Sequence, residues 1–267
     1  MNRHLIVLTG IILLLFGTAC GSDEPADEVW YAQIPMVNHA TDTETGGLYS
    51  CQVGVLYAEL NMTTMTTDIT YSLGFGNGTV TLSLTNAPMT RVENGLMVSL
   101  AGPVRADNHT FTDINAFIDT RQTGYTQHYI QATVDERYEL NGLFGTMAFA
   151  QATSEVSTAA GRHFADHGGT YAFTITSLRE GDERAEVTLS GIDVFPLDNG
   201  VTYDGLTVEP TAEGLFIHTG EEGIVPTAGG SSRLTALEAH INMHERTFTA
   251  SYAIEGCATV VASGSMR

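Results

Sequence analysis

Apolar and polar residues alternate with a period of two through nearly everything after Gly47, and that pattern confines the chain to β-structure. Thr79 to Leu84 (TVTLSL) alternates strictly, and Asn77-Gly78 just before it is a strong hairpin signal. Tyr171 to Ser177 (YAFTITS) repeats the pattern, with a charged turn over Arg179 to Glu183 and a returning strand from Ala185 to Val194. Ile130–Val134 and Phe248–Tyr252 continue it, while Asn94-Gly95, Asn199-Gly200 and Glu213-Gly214 supply further turns. One short helix is expected around Ser154–His167, weakened by Gly161.

The first residues follow a different rule. Arg3 provides a positive start, Leu5 to Phe16 is almost unbroken apolar sequence, and Gly17-Thr18-Ala19 is a small-residue cleavage region. The apolar run is shorter than the roughly 20 residues a spanning helix needs. Gly17-Thr18-Ala19-Cys20 resembles the lipobox of bacterial lipoproteins, although Gly17 stands where that family usually has Leu. The resemblance implies cleavage after residue 19, acylation of Cys20 with palmitate-type chains, and a membrane as partner through that anchor. No Asp follows Cys20 directly, which points to the outer membrane. Residues 20–45 read as the lipidated cysteine and an acidic tether, with DEPADE at Asp23–Glu28.

The remaining body carries a repeat. Gly46-Gly47-Leu48-Tyr49 is echoed by Gly168-Gly169-Thr170-Tyr171, and Val80-Thr81-Leu82-Ser83 by Val187-Thr188-Leu189-Ser190. Glu93-Asn94-Gly95-Leu96 is echoed by Ala212-Glu213-Gly214-Leu215, and Asp135-Glu136-Arg137-Tyr138 by His244-Glu245-Arg246-Thr247. The expected division is a first β unit at 46–153, a joint at 154–167 and a second β unit at 168–267. Each unit offers seven or eight short strands, so the fold class is all-β: an antiparallel meander barrel or sandwich, as two tandem related units closing on each other. One continuous β body and two separate barrels both fit the sequence. The opening Gly-aromatic strand, the Val-Thr-Leu-Ser strand and the closing hairpin resemble calycin-like (lipocalin-like) domains of bacterial lipoproteins. That resemblance implies a closed barrel able to hold a small apolar ligand.

Charge narrows the function further. The chain has no lysine, and after cleavage ten arginines face thirty-one acids, a net of −21. Such a field repels nucleic acid, which is excluded as a partner. It also matches the acidic surfaces of proteins from saline, halophilic habitats. With Cys20 taken by lipid, Cys51 and Cys257 remain, and an oxidising envelope favours a disulfide between them. His163, Asp166 and His167 are a candidate metal set, because residues four apart share one face of a helix. No motif marks a nucleophile, a zinc protease or a calcium loop. No catalytic residue and no organic cofactor is assigned. The sequence therefore favours a non-enzymatic envelope lipoprotein that binds an apolar ligand or serves as an envelope component. A surface interaction or adhesion module and an envelope hydrolase are the alternatives.

Overall fold

The computed structural model describes residues 28–121, 126–179, 182–192 and 197–266; the signal segment and Cys20 lie outside the described residues. The first nine strands are β1 (Val29–Asp42), β2 (Gly47–Asn61), β3 (Thr66–Phe75), β4 (Gly78–Val92), β5 (Gly95–Leu100), β6 (Val104–Ala106), β7 (His109–Asp119), β8 (Tyr129–Val134) and β9 (Tyr138–Phe144). Neighbours in sequence pair antiparallel, except that β5 and β6 both pair with β7 and not with each other, and β9 returns to pair with β1. β5 and β6 lie end to end along β7, opposite Ile114–Asp119 and His109–Phe111 respectively, so together they fill one place in the wall. The result is a closed eight-stranded up-and-down barrel.

The next eight strands repeat this plan. They are β10 (Thr146–Thr158), β11 (His163–Arg179), β12 (Asp182–Ser190), β13 (Val201–Pro210), β14 (Gly214–His218), β15 (Leu234–Asn242), β16 (Thr247–Ile254) and β17 (Ala258–Ser265). They form a closed barrel in sequence order, with β17 pairing back on β10. The fold is all-β and consists of two tandem antiparallel barrels.

The boundaries differ from those expected. The residues expected as tether include β1, and Gly145 alone separates the two barrels. The expected helix and joint at 154–167 is instead the end of β10, a tight turn and the start of β11. Its turn is closed by Thr158 N–H on Arg162 O (2.8 Å), with Gly161 at φ +77°. Ser154 and Val156 are buried while Thr153 and Glu155 are exposed, the alternation of a strand. Of the four echoed landmarks, two fall on equivalent places. Gly47–Tyr49 and Gly169–Tyr171 lie on the second strands, and Asn94-Gly95 and Glu213-Gly214 both lead into the fifth. The other two slip by one strand, because Val80–Ser83 is on β4 and Val187–Ser190 on β12.

Both interiors are filled by side chains, the usual condition of eight-stranded barrels without a ligand chamber. Met36, Leu60, Tyr71, Leu73, Leu82, Phe111 and Ile130 pack the first barrel, and Phe149, Tyr171, Phe173, Tyr203 and Phe248 the second. The wall of the first barrel also closes the base of the second. Val37 and Leu143 point outward from β1 and β9 and join the second core. His39 Nε2 donates to Thr211 O (2.6 Å) and Thr41 Oγ1 to Ala212 O (3.0 Å), both in the β13–β14 turn. In the β15–β16 turn, His244 pairs with Glu139 (3.2 Å) and the Arg246 guanidinium lies 4.1 Å over the Tyr129 ring.

Candidate functional site

The residues singled out from sequence are not brought together. His163 and His167 sit on β11, a strand, where positions four apart are about 13 Å distant, beyond the reach of one ion. Each imidazole meets a hydroxyl across the hairpin instead: His163 Nδ1 lies 2.8 Å from Ser157 Oγ, and His167 Nδ1 3.4 Å from Thr153 Oγ1. Asp166 is opposite Ser154, on the other face. Among the described residues, no group of three His, Cys, Asp or Glu side chains is placed to hold a metal.

The expected Cys51–Cys257 bond is not formed. Cys51 is opposite His39, at the junction of the barrels, where burial pushes its thiol pKa up to about 12. Cys257 lies in the β16–β17 turn, and its carbonyl accepts from Ala159 N–H (2.7 Å) at the far end of the second barrel. The up-and-down path of the second barrel therefore holds the two cysteines at opposite ends of it, well outside disulfide reach.

The barrel ends are occupied by their own side chains. Tyr49, Phe75, His109 and Tyr138 form a lid of rings over one mouth of the first barrel, with centroids 4.1–5.4 Å apart. On its rim Arg137 pairs with Asp42, and this hydrogen-bonded guanidinium holds the Asp42 carboxyl near a pKa of about 2. At the opposite end, buried Asp119 pairs with Arg121 and accepts Gln127 N–H (2.9 Å), while its own N–H donates to His128 Nδ1 (3.2 Å). These contacts tie the end of β7 to the start of β8, and Gln127 Nε2 also donates to Ala148 O on β10 (2.9 Å). In the second barrel, Ser154 Oγ, Tyr171 Oη and Tyr252 Oη form a hydroxyl chain with 2.9 Å steps, and Tyr203 Oη donates to Ser232 O (3.1 Å).

An open site lies on the outer wall of the first barrel, where β1, β2 and β3 present a grid of six outward side chains. The register puts Tyr31, Glu59 and Asp68 in one row and Gln33, Tyr57 and Thr70 in the next. Tyr31 and Tyr57 stand on the diagonal and remain 49% and 47% exposed, among the most exposed large apolar side chains described. Gln33 Nε2 donates to Tyr57 Oη (3.3 Å), which fixes that ring against the sheet. The groove between them encloses about 460 Å³, within the usual range for small-ligand sites, and Ala32 and Ala58 line it as well. Chemically it offers two aromatic faces flanked by two carboxylates, an amide and a hydroxyl. Glu59 and Asp68 face each other across the strands, and Asp68 Oδ1 already accepts the Asn86 N–H (2.6 Å), which leaves Glu59 and the second Asp68 oxygen as the acceptors on that row. Sequence reading missed this site because a tyrosine in an alternating run reads as ordinary strand. The available signal was register: tyrosines at solvent-facing positions of adjacent strands.

No family model matches the chain. No curated protein matches it either. Among solved structures, the chain is similar to one described as a "putative outer membrane protein" from Bacteroides fragilis NCTC 9343. The identity is 14%, over 88% of this chain and 96% of that one, with a TM-score of 0.33. At that score the likeness carries no argument about this chain.

Proposed function

We propose that this protein is an exported, non-enzymatic component of the cell envelope. Acyl chains on Cys20 hold it at the outer membrane, and the outer face of its first barrel recognises a neutral or cationic glycan. The observation that carries the recognition is the Tyr31–Tyr57 diagonal with its surround of acceptors. A sugar ring presents C–H bonds on its faces and hydroxyls on its edge, which suit exposed aromatic planes beside carboxylate and amide groups. The strong negative charge works against anionic polymers at the same place. Side-chain-filled interiors and covered barrel ends favour this surface reading over carriage of an apolar ligand inside a barrel. The groove also lies on the first residues of β1. A chain from Cys20 to Val29 reaches at most about 30 Å, so an anchored protein would hold the groove close to the bilayer.

The test is retention of the protein on immobilised neutral, amino-sugar and anionic polysaccharides, for the parent and for Tyr31→Ala and Tyr57→Ala. Binding of the first two classes, weakened at least tenfold by either substitution, is expected. Equal binding by the double substitution, or preference for the anionic polymer, would refute the assignment. Palmitate labelling of the parent but not of Cys20→Ser tests the anchor separately.

A further inference from the structure

Hydrogen bonding inside the first barrel is incomplete at one place. Asn38 faces the interior from β1, 1% exposed, between Met36 and Ala40. Neither its Nδ2 nor its Oδ1 has a protein partner, and nor does the hydroxyl of fully buried Tyr71 on β3. Buried side-chain polar atoms are nearly always satisfied, because an orphaned one forfeits its water without compensation. Three in one small volume would remove a large part of a domain's marginal stability.

The surroundings show that the place is shaped for these groups. Gly142 pairs with Asn38 on one side, and a methyl there would sit 2.5 Å from Tyr71 Oη and 3.1 Å from Asn38 Oδ1. Gly54, on β2, would bring a methyl to 2.4 Å from Asn38 Nδ2. Neither glycine has a positive φ, so backbone conformation does not require glycine at either position. Close packing does: besides the amide and the phenol, a methyl would meet Ser72 O at 2.4 Å from Gly54 and Ile130 Cγ2 at 2.7 Å from Gly142. Two strands thus forgo a side chain where Asn38 and Tyr71 stand in an aliphatic core.

We infer that the centre of the first barrel is a binding site for a neutral hydroxyl group, held between the amide of Asn38 and the phenol of Tyr71. A hydroxyl both donates and accepts, as Asn38 Oδ1, Asn38 Nδ2 and Tyr71 Oη together require. Burial alone raises the pKa of Tyr71 above the ordinary phenol range, which keeps it protonated. The close glycine contacts limit the occupant to a water molecule or the hydroxyl end of a larger molecule. The inferred route in is the seam between β2 and β3. Their pairing stops at Val55 and Ser72; beyond it, β2 pairs only with β1 and β3 only with β4. The Gln52 side chain fills that seam, its Nε2 donating to Gly76 O (3.1 Å), so a side chain and not a backbone ladder closes the route.

Water-oxygen magnetic relaxation dispersion on the intact protein counts long-lived internal waters, and native mass spectrometry detects a retained organic molecule. A bound water predicts at least one fewer long-lived water in Asn38→Leu/Tyr71→Phe than in the parent, with identical masses after correction for the substitutions. A hydroxyl-bearing molecule predicts an adduct mass on the parent that the double variant lacks. Neither difference, in a folded double variant, would overturn the site. Gln52→Ala leaves both binding groups in place and should speed exchange of the occupant at least tenfold. An unchanged rate would overturn the seam as the route. If the double variant fails to fold, Tyr71→Phe alone supplies the comparison, and a parent with neither a long-lived water nor an adduct would refute the inference outright.

Discussion

Acid should weaken the first barrel well before its carboxylates protonate, and His128 is the main reason. Its imidazole is buried beside Phe144, and burial pulls its pKa from 6.5 down to about 4. Its Nδ1 accepts the Asp119 N–H, so the folded state requires the neutral ring. Above pH 6.5 the ring is neutral whether the chain is folded or not, and its contribution is complete. Below 6.5 the unfolded chain takes up a proton that the folded chain refuses, so stability falls until about pH 4. A depression of this size is worth roughly 3 kcal/mol across the window. His39 works in the same direction, since burial also lowers its pKa at the barrel junction. The lowered carboxylates, Asp42, Asp119 and Asp135, lose their contributions only below their unfolded value of 3.8, a separate window. Trp30 is the only tryptophan and belongs to the first barrel, so its fluorescence in urea titrations reports the relevant unfolding. Between pH 6.5 and 4 the parent should lose roughly 3 kcal/mol more than His128→Asn, whose amide keeps an acceptor without a titrating proton. Parallel stability curves for the two proteins would refute the reasoning.

Four further outcomes follow from the same structure. Gly142→Ala should lower the melting temperature, at a cost of about 1–3 kcal/mol for overpacking, since its methyl meets Tyr71 Oη at 2.5 Å and Ile130 Cγ2 at 2.7 Å. Gly102→Ala, with nothing within 4 Å, should be neutral in the same melt. Peptide mapping without reduction should recover the Cys51 and Cys257 peptides not joined to each other. The melting temperature should rise from millimolar to molar sodium chloride, because a net charge of −20 with no lysine repels itself at low ionic strength; a flat curve would count against that reading.

What could be read from sequence follows how many faces each strand buries. β4 packs one face and wets the other, so Val80, Leu82 and Leu84 alternate with polar residues and the strand is plain in the sequence. β1 is different. From Met36 to Ala40 all five residues are buried, the even positions inside the first barrel and the odd ones against the second. A segment buried on both faces has no period-two signature, and β1 was hidden among the residues assigned to the tether. The disulfide expectation rested on the two cysteines left after lipidation, and such a count says nothing about which end of a barrel a turn occupies. The outer groove depended on register among three strands, which no single run of residues encodes.

Closure of each ring by its first and last strands has a consequence for the chain as it emerges N-terminus first. β1 cannot find β9 until Phe144 is available, so the first barrel completes late and then all at once, a high-contact-order event. At that moment the second barrel, which starts at Thr146, is still to be made, and its own closure waits for β17. Throughout the interval Val37 and Leu143 stand on the finished barrel with no cover, together with the buried imidazole of His39. The half-made molecule therefore displays a sticky apolar face that the whole one lacks. A chain truncated after the first barrel should inherit that face permanently, and with it a tendency to self-associate.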